Sequence, residues 1–374
     1  MSKLVVLVSL LSLPVVSTAQ DVSFQNFDGF LSIGTESNRT ASIALADVEG
    51  DGDLDALVAN GRHWAQQNWL YFNDGRAGFK SAVPVGQHMD ASYAIGAADL
   101  NGDGYIDIAV VNDKIPNRLY WGSADGQFST AVAFGNPSSA SRSLEIVDIE
   151  GDGDLDLVIA NRRAVNEIVL NDGKGGFAEA RAFGRPDEET TQVRVADLNG
   201  DGAADLVTAE RSSRNTVRLG DGKGGFGAAT GFGGEDEQTR SVDVGDMDGD
   251  GFTDIVAGNL GAANAVYFGD GKGGFTRSKA LPGVRNTTSV RVADFNGDGV
   301  ADIVEGNSGE RNFVLLGQKG GGFIEVGLRE DLVEDTYNVV VGDLNGDGAP
   351  DIVESNSDAW NLVYLTRRTQ RSED

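Results

Sequence analysis

Carboxylates set at a fixed spacing are the first chemistry this chain offers. Seven nine-residue stretches follow the form D-x-[DEN]-G-D-G-x-x-D, and their first residues lie 52, 49, 49, 49, 48 and 49 positions apart. Positions 1, 3, 5 and 9 offer side-chain oxygens and position 7 offers a backbone carbonyl, the alternating donors a hard cation needs. In the first copy these positions are Asp47, Glu49, Asp51, Asp53 and Asp55, and in the second Asp99, Asn101, Asp103, Tyr105 and Asp107. The third has Asp148, Glu150, Asp152, Asp154 and Asp156, and the fourth Asp197, Asn199, Asp201, Ala203 and Asp205. Asp246, Asp248, Asp250, Phe252 and Asp254 form the fifth. Asp294, Asn296, Asp298, Val300 and Asp302 form the sixth, and Asp343, Asn345, Asp347, Ala349 and Asp351 the seventh. Oxygen donors in an irregular loop suit Ca2+ better than Mg2+, which demands a stricter octahedron, so up to seven calcium ions are expected. Glycines at positions 4 and 6 supply the left-handed backbone that wraps such a loop.

The formal charge is −28, from 30 basic and 58 acidic residues. Of the acidic groups, 24 stand at loop positions 1, 3, 5 and 9, so seven divalent ions would bring the net charge to about −14. This balance argues against nucleic acid as a partner. The apolar stretch after Lys3, ending in Ser17, Thr18 and Ala19, reads as a secretory signal over residues 1–19. A secreted chain, extracellular or periplasmic, is therefore expected, with no membrane span once the signal is removed. With no cysteine in the chain, rigidity outside the cell cannot come from disulfides, and calcium is the expected substitute.

A period near 49 residues means one supersecondary unit repeated. Each unit holds four short alternating runs: one before the acidic loop, one after it, one opening at an Asn (Asn68, Asn117, Asn166, Asn215, Asn264, Asn312, Asn361), and one after a glycine turn. Four period-two runs without helical spacing predict four antiparallel strands. Seven such sheets bury their faces by radial packing, so the expected fold is an all-β, seven-bladed β-propeller over residues 20–366, followed by a short polar tail, 367–374. The segment Phe27–Gly34 is expected as the fourth strand of the last blade, closing the ring. Ser or Thr seven residues before each loop (Thr40, Ser92, Ser141, Thr190, Thr239, Thr287, Thr336) reads as hydrogen bonding at the start of the innermost strand.

These loops and turns resemble FG-GAP or VCBS repeat proteins, related to the propeller of integrin α subunits, from Phe27 to Thr366. Glu49 and Glu150 depart from the Asp or Asn of that pattern. The resemblance implies ligand binding on the face opposite the acidic loops, by a glycan or an extracellular protein.

Twelve basic residues map to that face: Arg39, Arg62, Lys114, Arg142, Arg162, Arg163, Arg185, Arg211, Arg214, Arg240, Arg285 and Arg311. They suit an acidic ligand such as a uronate or sulfated glycan, or else pair with acids such as Asp187, Glu188, Glu189, Glu235, Asp236 and Glu237. Between Asn60 and Asn68 the connection is three residues longer than its counterparts and carries His63 and Trp64. His88 is expected in the following blade-to-blade loop, near Tyr93. Trp64, Arg62, Arg142, Arg240 and Trp360 are candidate ligand-binding residues; His63, His88 and Tyr93 are candidate acid–base groups. The last set resembles polysaccharide lyases with propeller folds, ulvan lyases among them, which implies His and Tyr for proton abstraction and Arg for carboxylate neutralisation. The expected function is a monomeric calcium-stabilised binding module, with a calcium-dependent lyase and a structural matrix component as alternatives.

Overall fold

The computed structural model describes residues 22–368 apart from 28, 129, 178, 330 and 331, and every regular element among them is a β-strand. The signal assigned to residues 1–19 lies outside the described residues, as does the tail beyond 368. Four sheets each hold four antiparallel strands in sequence order. Thirteen further strands are linked into one sheet, because the extended ends of Asp254–Ala262 and Asp302–Glu310 also pair with the first strand of the next group, at Leu260 with Asn286 and at Ser308 with Asp335.

The first six residues of the second strand of each group, for instance Asp55–Asn60 or Asp156–Asn161, are buried. Sequences such as DLVIAN lack a polar alternation because both faces meet a neighbouring sheet. Leu57 and Leu70 of one sheet share a core with Ile108 and Tyr120 of the next, while Ile43 and Val58 near the start pack with Val353 and Val363 near the end.

The chain start pairs with the chain end, but not as one strand over 27–34. Val22–Gln25 pairs antiparallel with Leu365–Arg368, and Ser32–Ile33 pairs with Asn361–Leu362. Between them the chain turns at Phe27, which has φ of 52°, while the Asn26 amide donates to the carbonyls of Leu31 and Val363. Strand pairing also takes in Arg367 and Arg368, which the sequence reading assigned to the tail.

Two polar relays join successive sheets. Each repeated Ser or Thr hydroxyl donates to the Asn or Glu at the sixth residue of its second strand, as in Thr40 to Asn60 (2.9 Å) and Thr287 to Asn307 (2.8 Å). Six of the seven repeated Asn side chains then donate to the Ser or Thr of the next group, as in Asn68 to Ser92 (2.8 Å) and Asn312 to Thr336 (2.8 Å), whereas the Asn117 Nδ2 is buried without a partner. The last, Asn361, donates to Thr40 at 3.1 Å. In the second relay, backbone amides donate to side chains on the preceding sheet: Val193 to Ser143, Val242 to Gln192, Val290 to Ser241, Val339 to Ser289 and Ile43 to Asn338. Such bonds satisfy amides that are removed from water.

Candidate functional site

One cavity of about 500 Å3 is walled by the first strand of each repeat, from Thr40–Ala46 to Glu334–Gly342. All seven of these strands carry a register shift at the residue after the repeated Ser or Thr. A bulge re-aims the side chain of its extra residue. Here the bulged positions are Ala41, Tyr93, Arg142, Thr191, Arg240, Thr288 and Tyr337, and all of them line the cavity. The acidic loops begin six residues further on, at the opposite end of the same strands, about 20 Å away.

The bulge residues form a connected cluster with two short loops. The Arg142 guanidinium lies 3.9 Å from the Tyr93 ring centroid and donates to Asp113 at 2.9 Å. His63 Nδ1 is 3.3 Å from the same carboxylate, and the Tyr93 hydroxyl is 2.9 Å from His63 Nε2. Arg62 stacks on Tyr337 at 4.3 Å and pairs with Asp335 at 3.0 Å. Arg240 donates to the Tyr337 hydroxyl at 3.0 Å. The insertion therefore reaches two neighbours at once, Arg62 toward the last sheet and His63 toward the second.

Charge in this cavity is unbalanced. Its wall includes Arg142, Arg162, Arg194, Arg240 and Arg291 but a single carboxylate, Glu145. Three residues past the bulges, four successive inner strands carry Glu145, Arg194, Asp243 and Arg291. Arg194 pairs with both Glu145 and Asp243. Burial works to lower the Arg194 guanidinium, but these two carboxylates outweigh it and raise it. Arg291 is pushed down to about 10 by burial and by Arg194. At the mouth, burial and then Arg142 lower Arg162, and among the described residues neither Arg162 nor Arg240 has an ion-pair partner. Burial, with Tyr337 adding to it, raises the Tyr93 phenol well above its ordinary value. Burial also works to raise the Asp113 carboxyl, but Arg142 and His63 hold it below the usual range.

The sequence candidates divide accordingly. Arg62, His63, Tyr93, Arg142 and Arg240 are brought together. His88 is not: the segment expected as a loop is strand from Ser81 to Asp90, paired with the strand before it, and His88 lies 3.4 Å from the Tyr120 hydroxyl. Trp64 is 62% exposed, backed by Arg39 at 5.0 Å, and Trp360 is 46% exposed. Several rim arginines are paired, among them Arg39 with Asp358, Arg163 with Glu189, and Arg285 with Glu305 and Glu325. Sequence reasoning missed Asp113, Tyr337, Arg194 and Arg291 as members of the site. For Tyr337 the signal was its place after the repeated Thr336, the same place held by Tyr93 and Arg142.

The acidic loops share one geometry. Glycines at positions 4 and 6 have φ between 71° and 97° in all seven. The first Asp accepts backbone N–H groups of positions 4 and 6, as Asp246 does from Gly249 (2.7 Å) and Gly251 (2.9 Å). The ninth Asp is buried in every copy. Its two oxygens accept the amide of position 2 and an amide at the end of the third strand, as Asp254 does from Met247 and Gly269 (both 2.8 Å). This clamp is a second role that the ligand pattern did not reveal. Burial, the leading cause, raises the Asp55, Asp107, Asp156, Asp205 and Asp254 carboxyls, with neighbouring loop acids adding to it. Oxygens of Asp246, Asp248 and Asp254 lie within 4.8 Å of one another. An all-oxygen donor set, excess negative charge and a left-handed turn fit a hard divalent cation. Bound there, such an ion would neutralise the loop and fix its closure. At position 3, Arg181 reaches Glu150 at 3.3 Å and Arg277 reaches Asp248 at 2.5 Å.

The FG-GAP-like repeat model matches residues 47–110, 99–159, 148–208, 197–257 and 246–305. No curated protein matches the chain. Among solved structures, the chain is similar to BBS1N in its complex with ARL6DN (12% identity, TM-score 0.63, covering 92% of this chain and 97% of that one). It is also similar to the Dos1 propeller (10%, 0.58, 88% and 93%) and to the Vibrio cholerae biofilm matrix protein Bap1 (14%, 0.53, 91% and 89%). With five repeats matched over most of its length, an all-β architecture of four-stranded antiparallel sheets and propellers as structural neighbours, the chain belongs to the FG-GAP-like repeat family and is a β-propeller.

Proposed function

We propose that this protein is a secreted, calcium-stabilised propeller of seven blades that binds an anionic ligand at the mouth of its central cavity, on the face opposite the acidic loops. The observation that carries this reading is the cavity wall of five guanidiniums and one carboxylate in a chain of net charge −28. Arg142 and Arg194 have carboxylate partners, but Arg162 and Arg240 have none among the described residues, and unpaired guanidiniums in a confined site attract carboxylate, sulfate or phosphate groups strongly. A cavity of about 500 Å3 is of the size that encloses a small ligand. Closure of the ring is supported by the pairing of Val22–Gln25 with the last strand and by the Asn361 to Thr40 bond. Secretion rests on the signal at 1–19, and calcium on the seven acidic loops.

Titration calorimetry with glucuronate and with inorganic sulfate tests the reading. Binding that weakens tenfold or more in Arg240→Ala and falls with ionic strength supports it; no heat with either probe overturns it.

A second reading, a lyase for uronate glycans, is favoured by one specific contact, the Tyr93 hydroxyl against His63 beside Arg142. In that reading His63 takes the proton next to the carboxylate and the protonated phenol of Tyr93 delivers one to the leaving oxygen.

A further inference from the structure

Beside the charged mouth stands a largely exposed aromatic ring. Trp64 follows Arg62 and His63 in the insertion, and its amide donates to the Gly61 carbonyl in a tight turn. Gly61 has φ of 107°, and a Cβ there would run into the carbonyls of Trp64 and Asp90. Behind the indole, Arg39 is held by Asp358 at 3.1 Å, and the Arg39 amide is held by the Gln66 side chain at 2.9 Å. One face of the ring is thus backed by a fixed guanidinium, and the residue stays 62% exposed. The same short loop sets Arg62 against Tyr337 and His63 against Tyr93, two residues of the cavity wall.

We infer that the mouth takes an acidic oligosaccharide, its charged unit among Arg142, Arg162 and Arg240 and a neighbouring uncharged ring stacked on Trp64. This inference rests on the anion-binding reading above. Chemistry favours a sugar over an acidic peptide. Protein hot spots sit in broad desolvated patches, whereas Trp64 stands 62% exposed next to charged or polar groups, stacked on Arg39, which Asp358 holds, and following His63 in the chain. A pyranose offers one small C–H face that matches a single ring, with hydroxyls around its edge for the polar surround. Charge density is constrained too. A chain of net charge −28 repels a dense polyanion over its whole surface, while one carboxylate or sulfate meets the local arginines within a screening length of about 8 Å. The favoured ligand therefore carries sparse charge, one acidic unit flanked by neutral sugar.

The test compares four probes against the full chain in calcium: glucuronate, a trisaccharide with one internal glucuronate between neutral hexoses, the carboxyl-reduced trisaccharide, and an acidic hexapeptide. Expected is a trisaccharide at least tenfold tighter than glucuronate, with quenched tryptophan emission. Trp64→Ala should lose that gain and keep glucuronate affinity, Trp64→Phe should keep part of it, and the reduced trisaccharide should bind at least tenfold more weakly than the native one. A trisaccharide no tighter than glucuronate, or a gain untouched in Trp64→Ala, overturns the inference and leaves the anion site standing. A peptide whose binding depends on Trp64 and exceeds that of the trisaccharide overturns it in favour of a protein partner. If neither glucuronate nor the trisaccharide binds, both readings fall.

Discussion

The hydroxyl of Tyr93 lies 2.9 Å from Nε2 of His63, although the two side chains come from neighbouring sheets and only one of them occupies a position common to the repeats. Burial raises the Tyr93 phenol, so at neutral pH it stays protonated and able to donate. On the binding reading, the protein retains uronate glycans without releasing unsaturated products, and Tyr93→Phe changes glucuronate affinity less than threefold. Ultraviolet absorbance that grows with wild type and disappears in both Tyr93→Phe and His63→Ala would favour the lyase instead.

Calcium should hold the loops closed. Each ion present at a hundredfold excess over its Kd stabilises the fold by about 2.7 kcal/mol. Removing several with EDTA should lower Tm by roughly 10 °C or more. Metal analysis after gel filtration should find several ions per chain, and one fewer in Asp248→Ala. An unchanged melting curve in EDTA would contradict the assignment.

Ser289 accepts the Val339 amide at 3.1 Å and the Asn338 side chain at 3.4 Å, tying two sheets together at their inner strands. Ser289→Ala leaves a buried amide without an acceptor, a loss of about 1–3 kcal/mol in chemical denaturation. The equivalent place at another seam is Ala94, which cannot accept the amide of Leu144. Ala94→Ser should therefore stabilise the protein, by about 1 kcal/mol.

Glu210 stands where the other sheets have Asn and is 1% exposed. Burial first, then Glu188, pushes its carboxyl from 4.5 up to about 7. The folded pKa is raised, so the stabilising contribution of the neutral acid is complete below about 4.5 and is lost as pH rises through 7. Full loss corresponds to roughly 3 kcal/mol. Glu210→Gln keeps the acceptor for Thr190 and cannot ionise. Its advantage over wild type should grow between pH 4.5 and pH 8; a constant difference across that window would refute the assignment.

Gly61→Ala should displace the insertion, because the new Cβ meets backbone on two sides. Glucuronate affinity should fall while calcium stoichiometry holds, since the acidic loops lie at the far end of the strands. Equal affinity in the variant would show that the turn does not position Arg62 and His63.

Seven acidic loops, four strands per unit and the polar residue opening each inner strand were legible in the sequence because each is a local pattern repeated at one interval. Local spacing fixes which backbone groups can bond and which oxygens can converge, and Thr40, Asp55 and Gly52 behave in the fold as their positions in the repeat require. The basic candidates Arg62, Arg142 and Arg240 were legible as members of one face. What tertiary structure alone decided is their company. Tyr93, Arg142, Arg240 and Tyr337 lie up to 244 residues apart, and they share a cavity because a bulge in each inner strand turns them inward and the radial arrangement brings the strands together. His88 shows the converse: four residues before the next inner strand, it extends its own sheet and packs on Tyr120. Period-two patterning says which residues alternate, but it cannot register one extra residue in a strand, and that extra residue decides which side chains face the cavity.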